Sequence, residues 1–174
     1  DALDAALISG IVAFFAVALY MMAFYRVLGA LAVGKLIVEG ALLWSLIAYL
    51  GDTQGLALTL AGITGIIVSI GVSVDSNVVY YEHLKEDVVA GRTLRATVDR
   101  SFTSAYSTIV KADVASLIGA GLLWWLTVGP VRGFAFYLGV STLLDLICAW
   151  FFMHPAVALA TRSDLAQRKP RLFG

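Results

Sequence analysis

Charge is scarce in this sequence. Only 14% of its 174 residues are Asp, Glu, Lys or Arg, against about 25% in an ordinary soluble domain. Twelve basic residues balance twelve acidic ones, so no bulk positive field exists to recruit nucleic acid. A lone cysteine, Cys148, excludes an internal disulfide and a cysteine-based metal cluster. The two histidines, His83 and His154, have no second His or Cys at ligand spacing, so no metal site is expected. No Ser-His-Asp set, P-loop or dinucleotide fingerprint occurs, so neither an enzyme nor a bound cofactor is expected.

What the chain has in excess is apolar surface. Sixty per cent of it is hydrophobic and the mean hydropathy is +0.90, which leaves an all-α integral membrane protein. A bilayer core about 30 Å thick takes roughly 20 helical residues to cross. Five stretches qualify: residues 5–25, 31–50, 56–81, 109–128 and 131–159. The strand alternation of a transmembrane barrel is missing from runs such as Ile8 to Phe15. Short breaks separate the stretches at Arg26/Gly29/Gly34, at Gly51-Asp52-Thr53 and at Gly129-Pro130. The one long connection holds an amphipathic segment, residues 93–105, with Leu94, Val98 and Phe102 on one face and Arg95 and Asp99 on another. This segment lies on the inner membrane surface or packs against the bundle ends. Thr93 is placed to cap it. Trp124, Trp125, Tyr20, Tyr25, Tyr80 and Tyr81 fall near span ends, where aromatic belts form.

The positive-inside rule sets a direction. With the Arg26/Lys35 turn in the cytoplasm, the long connection and the basic tail (residues 162–174) fall on the same side, and eleven of the twelve basic residues lie inside. Arg132 is the exception. The N-terminal end is then extracytoplasmic, and an odd number of spans implies at least one further span upstream.

Acids inside the spans are the candidates for chemistry, because an ionised group in hydrocarbon costs about 3 kcal/mol or more. Asp75 precedes the inner end of its span by about 9 Å at 1.5 Å per residue, too deep for a short side chain to reach water along the helix. It must face protein or water. Val68, Gly71, Val72 and Val79 share its side; Gly65, Ser69, Ser73 and Asn77 form a second small or polar strip. Two such strips predict that this span sits at the centre of the bundle. Asp75 reads as a proton carrier, or alternatively as a carboxylate held by hydrogen bonds for packing. Asp145, with Ser141, Thr142 and Ala149 on its face, reads as a second relay acid or a structural acceptor. Lys111 and Asp113 fall near the interface, where a lysine usually snorkels. Glu39 is placed to pair with Lys35 at i,i+4 and is given no chemistry.

Four segments resemble a known family. The run Gly71-Val-Ser-Val-Asp75-Ser-Asn77-Val-Val, followed by Tyr80-Tyr-Glu82-His-Leu-Lys85-Glu86, resembles the signature of the SecD family, membrane subunits of the SecDF protein-export complex. Gly91-Arg92-Thr93, Ser101-Phe102-Thr-Ser-Ala105 and Gly129-Pro-Val-Arg132-Gly-Phe-Ala135 match further family motifs in order and spacing. Leu143-Leu144-Asp145 and His154-Pro155 resemble actinobacterial members. The resemblance implies a resistance-nodulation-division-type fold, of which this chain is a five-helix fragment of a six-helix half-bundle. It implies a proton-motive-force-driven auxiliary role in exporting preproteins across the bacterial cytoplasmic membrane, with a SecF-like subunit and the SecYEG channel as partners. The family's central acid carries over to Asp75 and its neighbour to Asn77; Ser73 and Asp145 are the expected supporting relay residues. Lys111-Ala112-Asp113 departs from the family's D-A-N, and Asp145 replaces a small residue common in the family, so the resemblance gives Lys111 and Asp113 no relay role. The alternatives are a proton-coupled lipid or drug exporter of the same superfamily and a non-conducting membrane scaffold.

Overall fold

The structure, a computed structural model, describes residues 2–54 and 59–162, without the side chains of Gln54 and of residues 94–96. The start of the third expected span at Leu56, the faces assigned to Leu94 and Arg95, and the tail beyond Arg162 lie outside the described residues. All described elements are helical: α1 (Ala2–Gln54), α2 (Leu60–Val89), α3 (Leu94–Leu126), α4 (Pro130–Cys148), a π-helical turn (Ala149–Met153) and α5 (His154–Arg162). Where the sequence predicts five separate spans, four helical rods are long and apolar enough to cross a membrane among the described residues; α4, the π turn and α5 run on as one of them.

The difference lies in α1. Its 53 residues would extend about 80 Å if straight, but Arg26 has φ 48° and ψ −109°, which breaks it. The first arm lies against α2 at Gly10–Ile67 and again at Tyr25–Tyr81, ring centroids 5.4 Å apart, so the two run in the same direction. The second arm turns back, bringing Lys35 level with Ser73. A Cβ at Gly29 would sit 2.1 Å from the Met21 carbonyl oxygen, so this reversal tolerates no side chain there. Lys35, expected in the turn, is instead well inside the second arm and fully buried. Residues 51–53, expected as a turn, continue the helix.

α2 is the axis about which the rest packs, touching α1, α3 and α4. Thr59 starts it: its Oγ1 accepts from the Gly62 N–H at 3.1 Å. The strip predicted from four-residue spacing, Gly65, Ser69, Ser73 and Asn77, is buried throughout. A Cβ on Gly65 would come within 2.7 Å of the Phe134 carbonyl oxygen, which shows how closely α4 approaches. Lipid gives helices no hydrophobic push towards each other, so such close packing is what holds them. The opposite strip is open: Val68, Gly71 and Asp75 are exposed.

The Gly91-Arg92-Thr93 motif is the joint between α2 and α3. Gly91 takes φ +87°, the left-handed conformation that ends a helix. Arg92 Nη1 bonds Asp87 Oδ1 at 2.6 Å, and Ser101 Oγ donates to Asp87 Oδ2 at 2.7 Å. Asp87 thus ties the joint to the next helix. Thr93 occupies the N-cap position, but its side chain makes no capping hydrogen bond. The amphipathic segment and the fourth expected span form one continuous helix, α3, rather than two. Its early turns pack on the bundle end: Val98, Phe102 and Ala105 are buried, and Phe102 meets Tyr80 edge-on at 5.2 Å and stacks on His154 at 4.1 Å. Tyr25, Tyr80 and Tyr81 are therefore core residues, not a belt; Tyr20, Trp124 and Trp125 remain exposed.

The π turn has a local cause. Pro155 lacks an N–H and its ring crowds the carbonyl four residues earlier. The chain widens before it, and the His154 N–H reaches back five residues to the Ala149 carbonyl.

A methyl at Gly65 must push apart two backbones, whereas Gly71 has open space around it. Gly65→Ala is expected to cost about 1–3 kcal/mol and Gly71→Ala nothing, as read by thermal unfolding in detergent.

Candidate functional site: a buried charge cluster and an exposed acid

At mid-bundle every rod contributes a polar group to one point. The Lys35 ammonium of α1 pairs with Asp145 Oδ1 of α4 and donates to Ser73 Oγ of α2 at 3.1 Å. Ser73 passes its own proton on, donating to Glu39 Oε2 at 2.8 Å. Glu39 lies one helical turn beyond Lys35, with its Oε2 3.8 Å from the ammonium. From α3, Asp113 comes within hydrogen-bond reach of Asp145. Lys35 is 0% exposed, Asp113 and Asp145 1%, and Glu39 6%.

Solvation accounts for the arrangement. A lysine amid apolar helices is costly unless its charge is paired and its N–H groups are bonded. Asp145 supplies the counter-charge and Ser73 an acceptor. The pair is held from three helices, so neither partner can leave without a rotation of its helix. Five buried side-chain atoms have no partner among the described residues: Asn77 Nδ2, Asp113 Oδ2, Tyr137 Oη, Ser141 Oγ and Asp145 Oδ2.

Asp75 stands apart. Two residues along α2 from Ser73, it points about 200° away, is exposed, and has no hydrogen-bond or ion-pair partner among the described residues. It lines a pocket of about 180 Å³ between α2 and α3, with Val72, Ser76, Thr108, Ala112 and Asp113 among its neighbours. Of the four predicted relay residues, Ser73 and Asp145 meet through Lys35. Asn77 is buried one turn further along α2, and Asp75 faces outward. Lys111 is exposed, whereas Asp113, two residues on, is an inside residue rather than an interfacial one. Among the described residues no group of three or more His, Cys, Asp and Glu side chains is arranged to hold a metal ion.

Sequence reasoning missed Lys35, Glu39 and Asp113. A signal for the first two was present: an i,i+4 charge pair placed inside an apolar run.

This arrangement can be set beside known proteins. Residues 1–163 match the family model described as "Protein export membrane protein SecD/SecF, C-terminal". The chain belongs to the SecD/SecF C-terminal family. The SecD translocase subunit of Streptomyces coelicolor is 41% identical over 162 residues, which cover 93% of this chain and 28% of that protein. SecD of Mycobacterium tuberculosis strain H37Rv is 37% identical over 165 residues, 95% of this chain and 29% of that protein. The crystal structure of SecDF from Thermus thermophilus, described as a translocon-associated membrane protein, superposes with a TM-score of 0.84 at 32% identity; the match covers 95% of this chain and 22% of that one. The chain thus spans less than a third of the length of these relatives. As a SecD/SecF-family domain with four apolar rods, it is an integral membrane protein.

Asp145→Asn removes the counter-charge from a buried ammonium. It is expected to cost about 3–5 kcal/mol, and Lys35→Met in the same chain should return most of that, since it removes the stranded charge. Asp75→Asn, at an exposed and unpartnered side chain, should leave stability unchanged. Thermal unfolding of the variants in detergent checks all three.

Proposed function

We propose that this chain is the membrane part of a SecD-type subunit that assists Sec-dependent export of preproteins, drawing on the proton motive force. The observation that carries the reading is the open face of α2. An acid exposed on the flank of an apolar bundle is costly in lipid, so Val68, Gly71 and Asp75 mark a face that a second half-bundle covers. In the reading offered, that half is a SecF-like subunit, the two α1 arms cross the membrane separately as two of five spans, and the whole forms one half of a resistance-nodulation-division-type assembly. The SecYEG channel and the emerging preprotein are its further partners.

The cytoplasmic side is the end where Arg26, Lys85, Arg92 and Arg100 gather. Tyr25–Tyr81, Tyr80–Phe102 and Phe102–His154 bring the same ends of the helices together, which supports a single basic face. Lys35, being buried, no longer counts towards orientation; with this direction ten of the remaining eleven basic residues of the sequence fall on the inner side, which supports the reading. The N-terminal end of the described chain is extracytoplasmic and the C-terminal end cytoplasmic.

Asp75 gains a proton from the outer side and loses it inward. Neutralising it removes the cost of burying a charge at the interface between halves. That difference biases a two-state packing of the halves, which is how proton flow would become movement. A lipid or drug exporter of the same superfamily is the second reading; the similarity of this chain to protein translocase subunits favours the first.

In vesicles holding the complete complex, Asp75→Asn is expected to abolish both proton flux and the gradient-dependent part of preprotein export while leaving assembly intact. Wild-type flux and export in that variant would remove Asp75 from the mechanism.

A further inference from the structure

The cluster around Lys35 has an unbalanced charge and two buried carboxyl oxygens without a partner among the described residues. One ammonium faces three carboxyls, Glu39, Asp113 and Asp145, so full ionisation leaves a net charge of −2 (one positive, three negative) at a point closed to solvent. Lys35 takes Asp145 Oδ1 and Ser73 bonds Glu39 Oε2. The oxygens left without a partner are Asp113 Oδ2 and Asp145 Oδ2, in two side chains that stand within hydrogen-bond reach of each other. Two ionised carboxylates in contact repel each other and can only accept hydrogen bonds. One proton between them would supply a donor, satisfy both orphan oxygens and reduce the charge of the cluster to −1.

Asp113, though buried, also borders the lateral pocket that Asp75 lines. A single side chain therefore connects the exposed acid to the buried cluster. We propose that Asp113 and Asp145 share one proton, and that this pair, anchored by Lys35, is an inboard proton store loaded from the pocket beside Asp75. A proton delivered into the pocket forms an O–H bond on Asp113 Oδ2 and hydrogen-bonds Asp145 Oδ2; its departure by the same route restores both carboxylates. The groups facing the pair are Lys35 and Glu39 from α1, Ser73 and, across the pocket, Asp75 from α2, Tyr106 from α3, and Ser141 and Cys148 from α4. Among them only Lys35 is a cation, and its reach to Asp145 sets which of the two acids carries the lesser share of the proton. The shared proton stands on this geometry alone; its role as a store for translocation rests on the function proposed above.

Infrared spectroscopy of the complete complex in lipid tests the pair, with proton flux in vesicles as the second readout. At neutral pH a carbonyl band of a protonated carboxylic acid is expected, shifted by 13C-labelled aspartate and by exchange into D2O. It should disappear in Asp113→Asn, persist in Asp75→Asn, and be accompanied in Asp113→Asn by a severalfold fall in flux. The isotope shift identifies an aspartic acid in the unsubstituted protein, so the test survives if Asp113→Asn does not fold. Absence of an aspartate-derived acid band, or its survival in Asp113→Asn, overturns the shared proton. Loss of the band with wild-type flux overturns the store. Wild-type flux in Asp75→Asn overturns the proposed function and leaves the infrared outcome readable.

Discussion

A single ammonium group in the middle of an apolar bundle constrains this molecule. Lys35 is buried completely, and nothing in lipid or in the packed side chains around it can solvate its charge. Asp145 and Ser73 must be there, at their distances, for the helices to close. That requirement ties the second arm of α1 to α2 and α4 at one level and fixes their rotations, much as a buried polar residue fixes register in simpler helix assemblies. Small residues then allow the approach: Gly65 lets α4 come nearly to backbone contact, and the buried run Ser69, Ser73 and Asn77 continues the same seam.

The two faces of α2 divide the labour. One is committed inward, with Ser73 engaged by Lys35 and Glu39. The other carries Asp75 on a face that the described helices leave open. Between them α3 sets the buried Asp113 on the lining of the lateral pocket. α2 thus has one face packed against the other helices and one face that they leave uncovered. The inward network ties α1, α2 and α4 at one level, and the outward acid lines the pocket between α2 and α3.

Much of this was legible in order along the chain. Four-residue steps gave the Gly65–Asn77 seam, and Asp145 with Ser141 and Thr142 announced a buried polar face, because one-helix periodicity survives any tertiary context. The helix break at Arg26 followed from charge and glycine. What was not legible depended on pairs distant in sequence. Lys35 near a basic residue and a glycine resembles a loop lysine; only Asp145, 110 residues away, makes it an interior one. Asp113 beside Lys111 resembles an interfacial acid until the rotation of α3 is known. Tyr80 and Tyr81 resemble belt residues because what covers them is distant in sequence: the early turns of α3 for Tyr80, and Tyr25 and Met153 for Tyr81. The missed residues are thus those whose environment is set by helix rotation, which single-helix patterns do not encode.

The widened turn at Ala149–Met153 separates two fixed points on the same rod. Upstream, Asp145 is moored to Lys35; downstream, His154 is stacked on Phe102 and bonded to Asp99 at 2.9 Å. A π turn holds one residue more than the α-helix around it. Were that surplus residue to migrate along the rod, the segment it passed would swivel by about 100° while both moorings stayed in place. The rod is therefore built less like a strut than like a shaft with a slip joint, able to take up torsion from one end of the bundle without unwinding at the other.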